Sequence, residues 1–119
     1  LVVDDAKSMR EIIKATLENA GYMIETALDG NDGLDKAKAE QYDMVLTDVH
    51  MPGKTGMGLV ASLRLQSNYA NIPILLITTE NSESMKEKSK KLGASGWLTK
   101  PIDATRLLTA VTKTFEKFE

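Results

Sequence analysis

The apolar residues of this chain fall into two kinds of segment that alternate along its length. Five segments are short and nearly continuous: Leu1-Val2-Val3, Met23-Ile24-Glu25-Thr26-Ala27, Met44-Val45-Leu46-Thr47, Pro73-Ile74-Leu75-Leu76-Ile77 and Ser95-Gly96-Trp97-Leu98-Thr99. Runs of this length with no regular polar face predict strands buried on both sides, as in a parallel sheet. The second run is less uniformly apolar and is expected nearer an edge, while the fourth is the clearest buried strand.

Between these runs the apolar positions recur every three or four residues. Ser8-Met9-Arg10-Glu11 has the S-x-x-E form of a capping box, and Met9, Ile12, Ile13, Thr16, Leu17 and Ala20 behind it predict one buried helical face closed by Gly21. Asp29-Gly30 turns the chain into a second helix that reaches Glu40, with Leu34, Ala37 and the stem of Lys38 facing inward. Residues 56–63 read as a third helix, weakened at its start by Gly58. Residues 82–92 read as a fourth, with a lysine-rich solvated face (Lys86, Lys88, Lys90, Lys91) and Gly93 as its stop. Asp103 is placed to cap a fifth, in which Leu107, Leu108, Val111, Phe115 and Phe118 form a helical stripe. The methionines read as core filler.

Strand and helix thus alternate five times. That pattern predicts an α/β fold: a doubly wound five-stranded parallel sheet with five helices, in three layers. A length of 119 residues is one domain, taken here as residues 1–119, with a core that needs no disulfide. The chain opens in what reads as mid-strand, so the first strand is expected to be truncated. The absence of cysteine removes thiolate and zinc-thiolate chemistry. Fifteen basic against 17 acidic residues give no support to nucleic acid or membrane as a main partner. No apolar run approaches a membrane span and no signal-peptide pattern opens the chain, so a cytoplasmic protein is expected.

The chemistry gathers at the strand ends. Asp4 and Asp5 end the first strand, Asp48 the third, Thr78 the fourth and Lys100 the fifth, all on the carboxyl edge where open α/β sheets bind ligands. Asp48 alone, followed by the turn residues Pro52 and Gly53, would read as a turn acid. Three carboxylates together repel one another, and a hard divalent cation such as Mg²⁺, liganded by oxygen, relieves that repulsion. A metal, an ammonium and a hydroxyl around one carboxylate form a site for a phosphoryl group in transit, which an Asp accepts as an acyl phosphate.

In combination, Asp4-Asp5, Asp48 with Met51-Pro52 and Gly56, Thr78, and Lys100-Pro101 resemble the receiver domain of two-component response regulators over essentially the whole chain. The resemblance implies a flavodoxin-like sandwich with strand order 2-1-3-4-5. It implies that Asp48 accepts a phosphoryl group from a sensor histidine kinase, that Asp5, Asp48 and the backbone carbonyl of His50 ligate Mg²⁺, and that Asp4 positions a metal-bound water or ligates more weakly. It further implies that Lys100 and Thr78 contact the phosphoryl group, that Trp97 is the aromatic switch, and that the Lys100-Pro101 bond is cis. The His50 ring is read as a shield for the acyl phosphate, and the surface of helix four, strand five and helix five as the place where a downstream target reads the signal. Such a domain is no enzyme in the usual sense, since it catalyses only its own phosphotransfer and dephosphorylation; a phosphatase is a further partner, and a monomer is expected. Asp4-Asp5-Ala6-Lys7-Ser8-Met9-Arg10 and Ile77-Thr78-Thr79-Glu80 look most like chemotaxis regulators that bind the flagellar motor switch.

Three positions depart from the pattern. Trp97 stands where Tyr or Phe is usual; Thr79 stands where a small residue is common and is expected to crowd Thr78 and Trp97; Thr55 replaces an acid or amide before Gly56. Other readings remain open. A receiver excised from a DNA-binding regulator would carry the same residues. A phosphohydrolase with an Asp nucleophile would want a second acid where His50 stands, and a flavin binder would not place Asp4-Asp5 against a phosphate. A degenerate receiver that signals only by binding would not need an intact acid pocket.

Overall fold

The computed structural model describes residues 1–51, 53–79 and 82–117. The turn read at Pro52 and the outermost member of the last stripe, Phe118, lie outside the described residues. Five strands, β1 (Val2–Val3), β2 (Thr26–Ala27), β3 (Val45–Asp48), β4 (Ile74–Thr78) and β5 (Gly96–Thr99), form one parallel sheet in the order β2-β1-β3-β4-β5. Five helices connect or follow them: α1 (Lys7–Asn19), α2 (Gly30–Ala39), α3 (Gly56–Arg64), α4 (Glu83–Leu92) and α5 (Ala104–Lys117).

The period-2 alternation of each strand sorts its side chains into two cores. Val3, Val45, Ile74 and Leu76 pack with Ala37, Leu59, Val60 and Leu63 under α2, α3 and α4. Val2, Met44, Leu46, Leu75 and Ile77 pack with Ile13, Leu17, Leu107 and Val111 under α1 and α5. The continuous apolar runs are thereby explained: both faces of the sheet are covered.

Helix termini follow local chemistry. Asp29, Thr55 and Ser82 cap α2, α3 and α4 by accepting the N–H groups of Asp32, Gly58 and Met85, and Asp103 accepts the Arg106 N–H at the start of α5. Thr55 therefore supplies a side-chain cap to α3 itself. Gly21 and Gly93, at φ of 98° and 105°, end α1 and α4 in the left-handed conformation that costs glycine least.

Several expectations need correction. The capping box does not form: α1 begins at Lys7 after an Ala6 cap with no side-chain hydrogen bond, so Ser8 already lies inside the first turn. The Asp4 carboxylate accepts the Ala6 N–H and starts the helix two residues earlier than the motif implied. On α1 the residues that face the sheet are Ile13 and Leu17 with Met9 beside them, spaced by four; Ile12 is 57% exposed and Ala20 is exposed, because the contact strip is narrower than the apolar pattern. Met23 is 97% exposed, so it is neither strand interior nor core filler; Tyr22 and Ile24 on either side take the inward direction. Lys38 is exposed, and the lysine that turns inward is Lys36, whose ammonium reaches the Thr26 carbonyl of β2.

Two long-range anchors were not anticipated. A short 3₁₀ turn over Ser67–Tyr69 buries Tyr69 completely. Its hydroxyl lies 2.8 and 2.6 Å from the carbonyls of Ala37 and Glu40 and accepts the Tyr42 N–H at 3.2 Å. Arg64 donates to the carbonyls of Tyr69 and Ile72 at 2.6 and 2.7 Å and twice to that of Gly93, at 3.0 and 2.7 Å. One guanidinium thus ties α3 to the entrance of β4 and the end of α4. Tyr69→Phe keeps the ring but leaves the Tyr42 N–H and two carbonyls without this partner, so urea unfolding should show a loss of about 1–2 kcal/mol at unchanged slope. An unchanged midpoint would mean that the hydroxyl contributes nothing to the fold.

Candidate functional site

Strand register brings the polar strand ends together. Val3 pairs with Thr47, so Asp4 and Asp48 leave neighbouring strands at the same level. Thr78 pairs with Thr99, and the next residue, Lys100, donates its N–H to the Thr78 carbonyl at 2.8 Å. The Lys100-Pro101 bond is cis.

Lys100 Nζ lies 3.2 Å from Asp4 Oδ2 and 3.4 Å from Asp48 Oδ2. The remaining oxygens are held by the backbone: Asp4 Oδ1 accepts the Ala6 N–H at 2.9 Å, and Asp48 Oδ1 accepts the Val49 N–H at 2.8 Å. Each buried carboxylate therefore has one oxygen fixed by a peptide and the other turned to the ammonium. Asp5 is exposed and completes the cluster, with one carboxylate oxygen from each of Asp4, Asp5 and Asp48 lying within 4.8 Å of the others. Three hard oxygen donors with one side open to solvent fit a divalent cation that keeps several waters.

Burial pushes the Asp48 carboxyl above its ordinary range; Lys100 pulls it down, and Asp4 pushes it up again. The loop after β3 is drawn tightly round this residue. A Cβ on Gly56 would lie 2.0 Å from the Asp48 carbonyl oxygen, a backbone atom that cannot yield, and the Gly56 N–H donates to the Val49 carbonyl.

The other predicted residues are placed as follows. Thr78 is fully buried at the end of β4, and His50 is exposed on the loop directly after Asp48 and Val49. Trp97 is half-buried on β5, in register with Leu76, and packs against the core under α2, α3 and α4. Thr79 is exposed and follows the last strand residue, where the chain leaves the sheet. The sequence reading missed Arg10, whose Nη1 donates to the Asp4 carbonyl at 2.7 Å. Its only signal was a basic residue six positions after Asp4, within reach of the strand end from the first turns of α1. A cavity of about 840 Å³, lined in part by Tyr22, Tyr42 and Phe115, opens at the amino edge of the sheet and takes no part in this site.

A family model described as "Response regulator receiver domain" matches residues 1–112. A solved structure of the chemotaxis response regulator CheY4 of Vibrio cholerae is 42% identical, with a TM-score of 0.92 over 95% of this chain and 94% of that one. Protein PilH of Pseudomonas aeruginosa is 35% identical over 93% of this chain and 92% of its own length. The transcriptional regulatory protein DltR of Streptococcus agalactiae is also 35% identical, but the match spans 49% of it, so this chain corresponds to about half of that relative. Receiver domains bind Mg²⁺ at their acidic pocket, and among the described residues the Asp4, Asp5 and Asp48 cluster could hold it. Among the described residues no helix is long and apolar enough to cross a membrane.

The raised Asp48 carboxyl makes its ionised form a cost to the folded state. Because its folded value lies above the unfolded one, the stability this group contributes is fully present below the ordinary 3.8 and is lost as pH rises through the folded value. Asp48→Asn should therefore melt higher than the parent near pH 7.5 in EDTA, with the advantage shrinking towards pH 4. A lower melting temperature for the variant at pH 7.5 would show that the Lys100 contact outweighs burial.

Proposed function

As the chain belongs to the response regulator receiver domain family, we propose that it is a two-component phosphoacceptor in which Asp48 takes the phosphoryl group of a sensor histidine kinase. The observation that carries this reading is the single ammonium between two buried strand-end carboxylates, with the third acid alongside. An Asp48 oxygen attacks phosphorus in line, the P–N bond of the phosphohistidine breaks, and the imidazole nitrogen leaves with the electron pair. The Val49 N–H holds Asp48 Oδ1, so the carboxylate cannot turn away. Lys100 accompanies Oδ2 before the reaction and the phosphoryl oxygens after it. Asp5, Asp48 and the His50 backbone carbonyl would hold Mg²⁺, with Asp4 beside them, and the ion would supply positive charge against which an anionic phosphoryl group can approach three acids. Thr78 donates its hydroxyl to the product, and Trp97, on the strand that leads into Lys100, answers the change by its packing. The His50 ring, exposed beside the site, shields the acyl phosphate from water.

The likeness to a chemotaxis response regulator supports an output of the same kind: a downstream target, such as the flagellar motor switch, read through α4, β5 and α5. The match to half of DltR favours a second reading, a receiver that serves a DNA-binding regulator.

Incubated with labelled acetyl phosphate and Mg²⁺, the protein should incorporate label that EDTA prevents, and Asp48→Asn should incorporate none. Label retained at full stoichiometry in that variant would remove Asp48 as the acceptor. Pull-downs with and without beryllofluoride separate the outputs: a motor-switch component enriched with the mimic supports the first reading. Mimic-dependent self-association with no such capture supports the second.

A further inference from the structure

At Asp4 the chain leaves the sheet, and all four of its polar groups are engaged. Its N–H donates to the Ala27 carbonyl at 3.2 Å, its carboxylate oxygens take the Ala6 N–H and the Lys100 ammonium, and its carbonyl takes Arg10 Nη1 at 2.7 Å. The last contact differs in kind from the others. β1 ends at Val3, so the Asp4 carbonyl lies beyond the sheet ladder, and a guanidinium from α1 takes the place of a strand partner. That carbonyl belongs to the peptide joining Asp4 to Asp5. Fixing the plane of this peptide fixes the direction in which the exposed Asp5 carboxylate leaves the backbone.

From this geometry we infer that Arg10 is a positioning residue for the divalent-cation site: it holds the Asp4-Asp5 peptide so that Asp5 projects towards Asp48. The inference rests on the proposed metal site. It also has a sign that separates it from simple electrostatics. A guanidinium near three acids repels a cation, so a purely through-space effect predicts that removing its charge tightens Mg²⁺ binding. Positioning predicts the reverse, because a partner that orients a ligand is worth 10- to 100-fold in metal affinity.

The test is Mg²⁺ titration followed by calorimetry, with metal-free melting and far-ultraviolet circular dichroism recorded for every variant. Arg10→Met, which keeps the aliphatic stem and loses the donors, should weaken Mg²⁺ binding on the order of 10-fold. Arg10→Lys, which keeps charge and a donor, should restore it to within about threefold. Binding by Arg10→Met that is equal to or tighter than the parent's overturns the inference, as does an Arg10→Lys variant as weak as Arg10→Met. A parent that binds no Mg²⁺ would instead overturn the metal site itself. A measurement on the unaltered chain stands apart from variant folding: the Arg10 guanidinium protons should exchange more slowly with solvent when Mg²⁺ saturates the site. Unchanged exchange would also count against the inference.

Discussion

Two carboxylates from neighbouring strands lie together almost out of solvent because one ammonium lies between them. Without it, a buried and unpaired carboxylate would cost the fold several kcal/mol or take up a proton. Lys100 supplies that charge from just past the end of β5, two strands away from that of Asp48 in the sheet order, and its backbone N–H is simultaneously bonded to the end of β4. The ion contacts at 3.2 and 3.4 Å therefore tie the outer strand to the centre of the sheet. Lys100 does not fully compensate Asp48, whose carboxyl is still held above its ordinary range by burial. A cation bound beside Asp48 would stabilise its ionised form.

The parallel sheet makes this arrangement possible. Equal register between β1 and β3 sets Asp4 beside Asp48, and crossover helices return every strand in the same direction, so each strand end arrives at one edge. The loop after β3 then closes over Asp48 because Gly56 offers no side chain to the Asp48 carbonyl. Rigidity at Asp48 thus comes from backbone contacts that no side-chain motif describes.

Much of this was legible in the sequence, and what was missed has a common cause. Strand runs, strand ends and most caps are encoded over a few residues, so Asp4, Asp5, Asp48, Thr78 and Lys100 could be placed on one edge from local pattern alone. The capping box at Ser8 failed because its competitor, the Asp4 carboxylate, sits outside the motif. Ile12 and Met23 misled because an apolar residue is not obliged to be buried. Tyr69, Arg64 and Arg10 were invisible for a different reason. Tyr69 and Arg64 bond to carbonyls that are up to 32 residues away in the chain, and all three matter through backbone groups that carry no sequence signature.

The same contacts limit how far phosphorylation could drive this domain. Moving a two-state equilibrium from mostly off to mostly on takes about 5.5 kcal/mol. A charge-assisted hydrogen bond supplies roughly 1.5–3 kcal/mol, so Lys100 and Thr78 together reach that figure only if both contacts are gained outright. They are not. Lys100 is already committed to Asp4 and Asp48, so turning to a phosphoryl group exchanges contacts. Thr78 is fully buried at the end of a strand, so presenting its hydroxyl has a conformational cost. On the proposed reading, phosphorylation shifts the β4 and β5 ends only part of the way. A target that binds the altered face must then supply the remainder, which makes target affinity and the extent of switching two measures of one equilibrium.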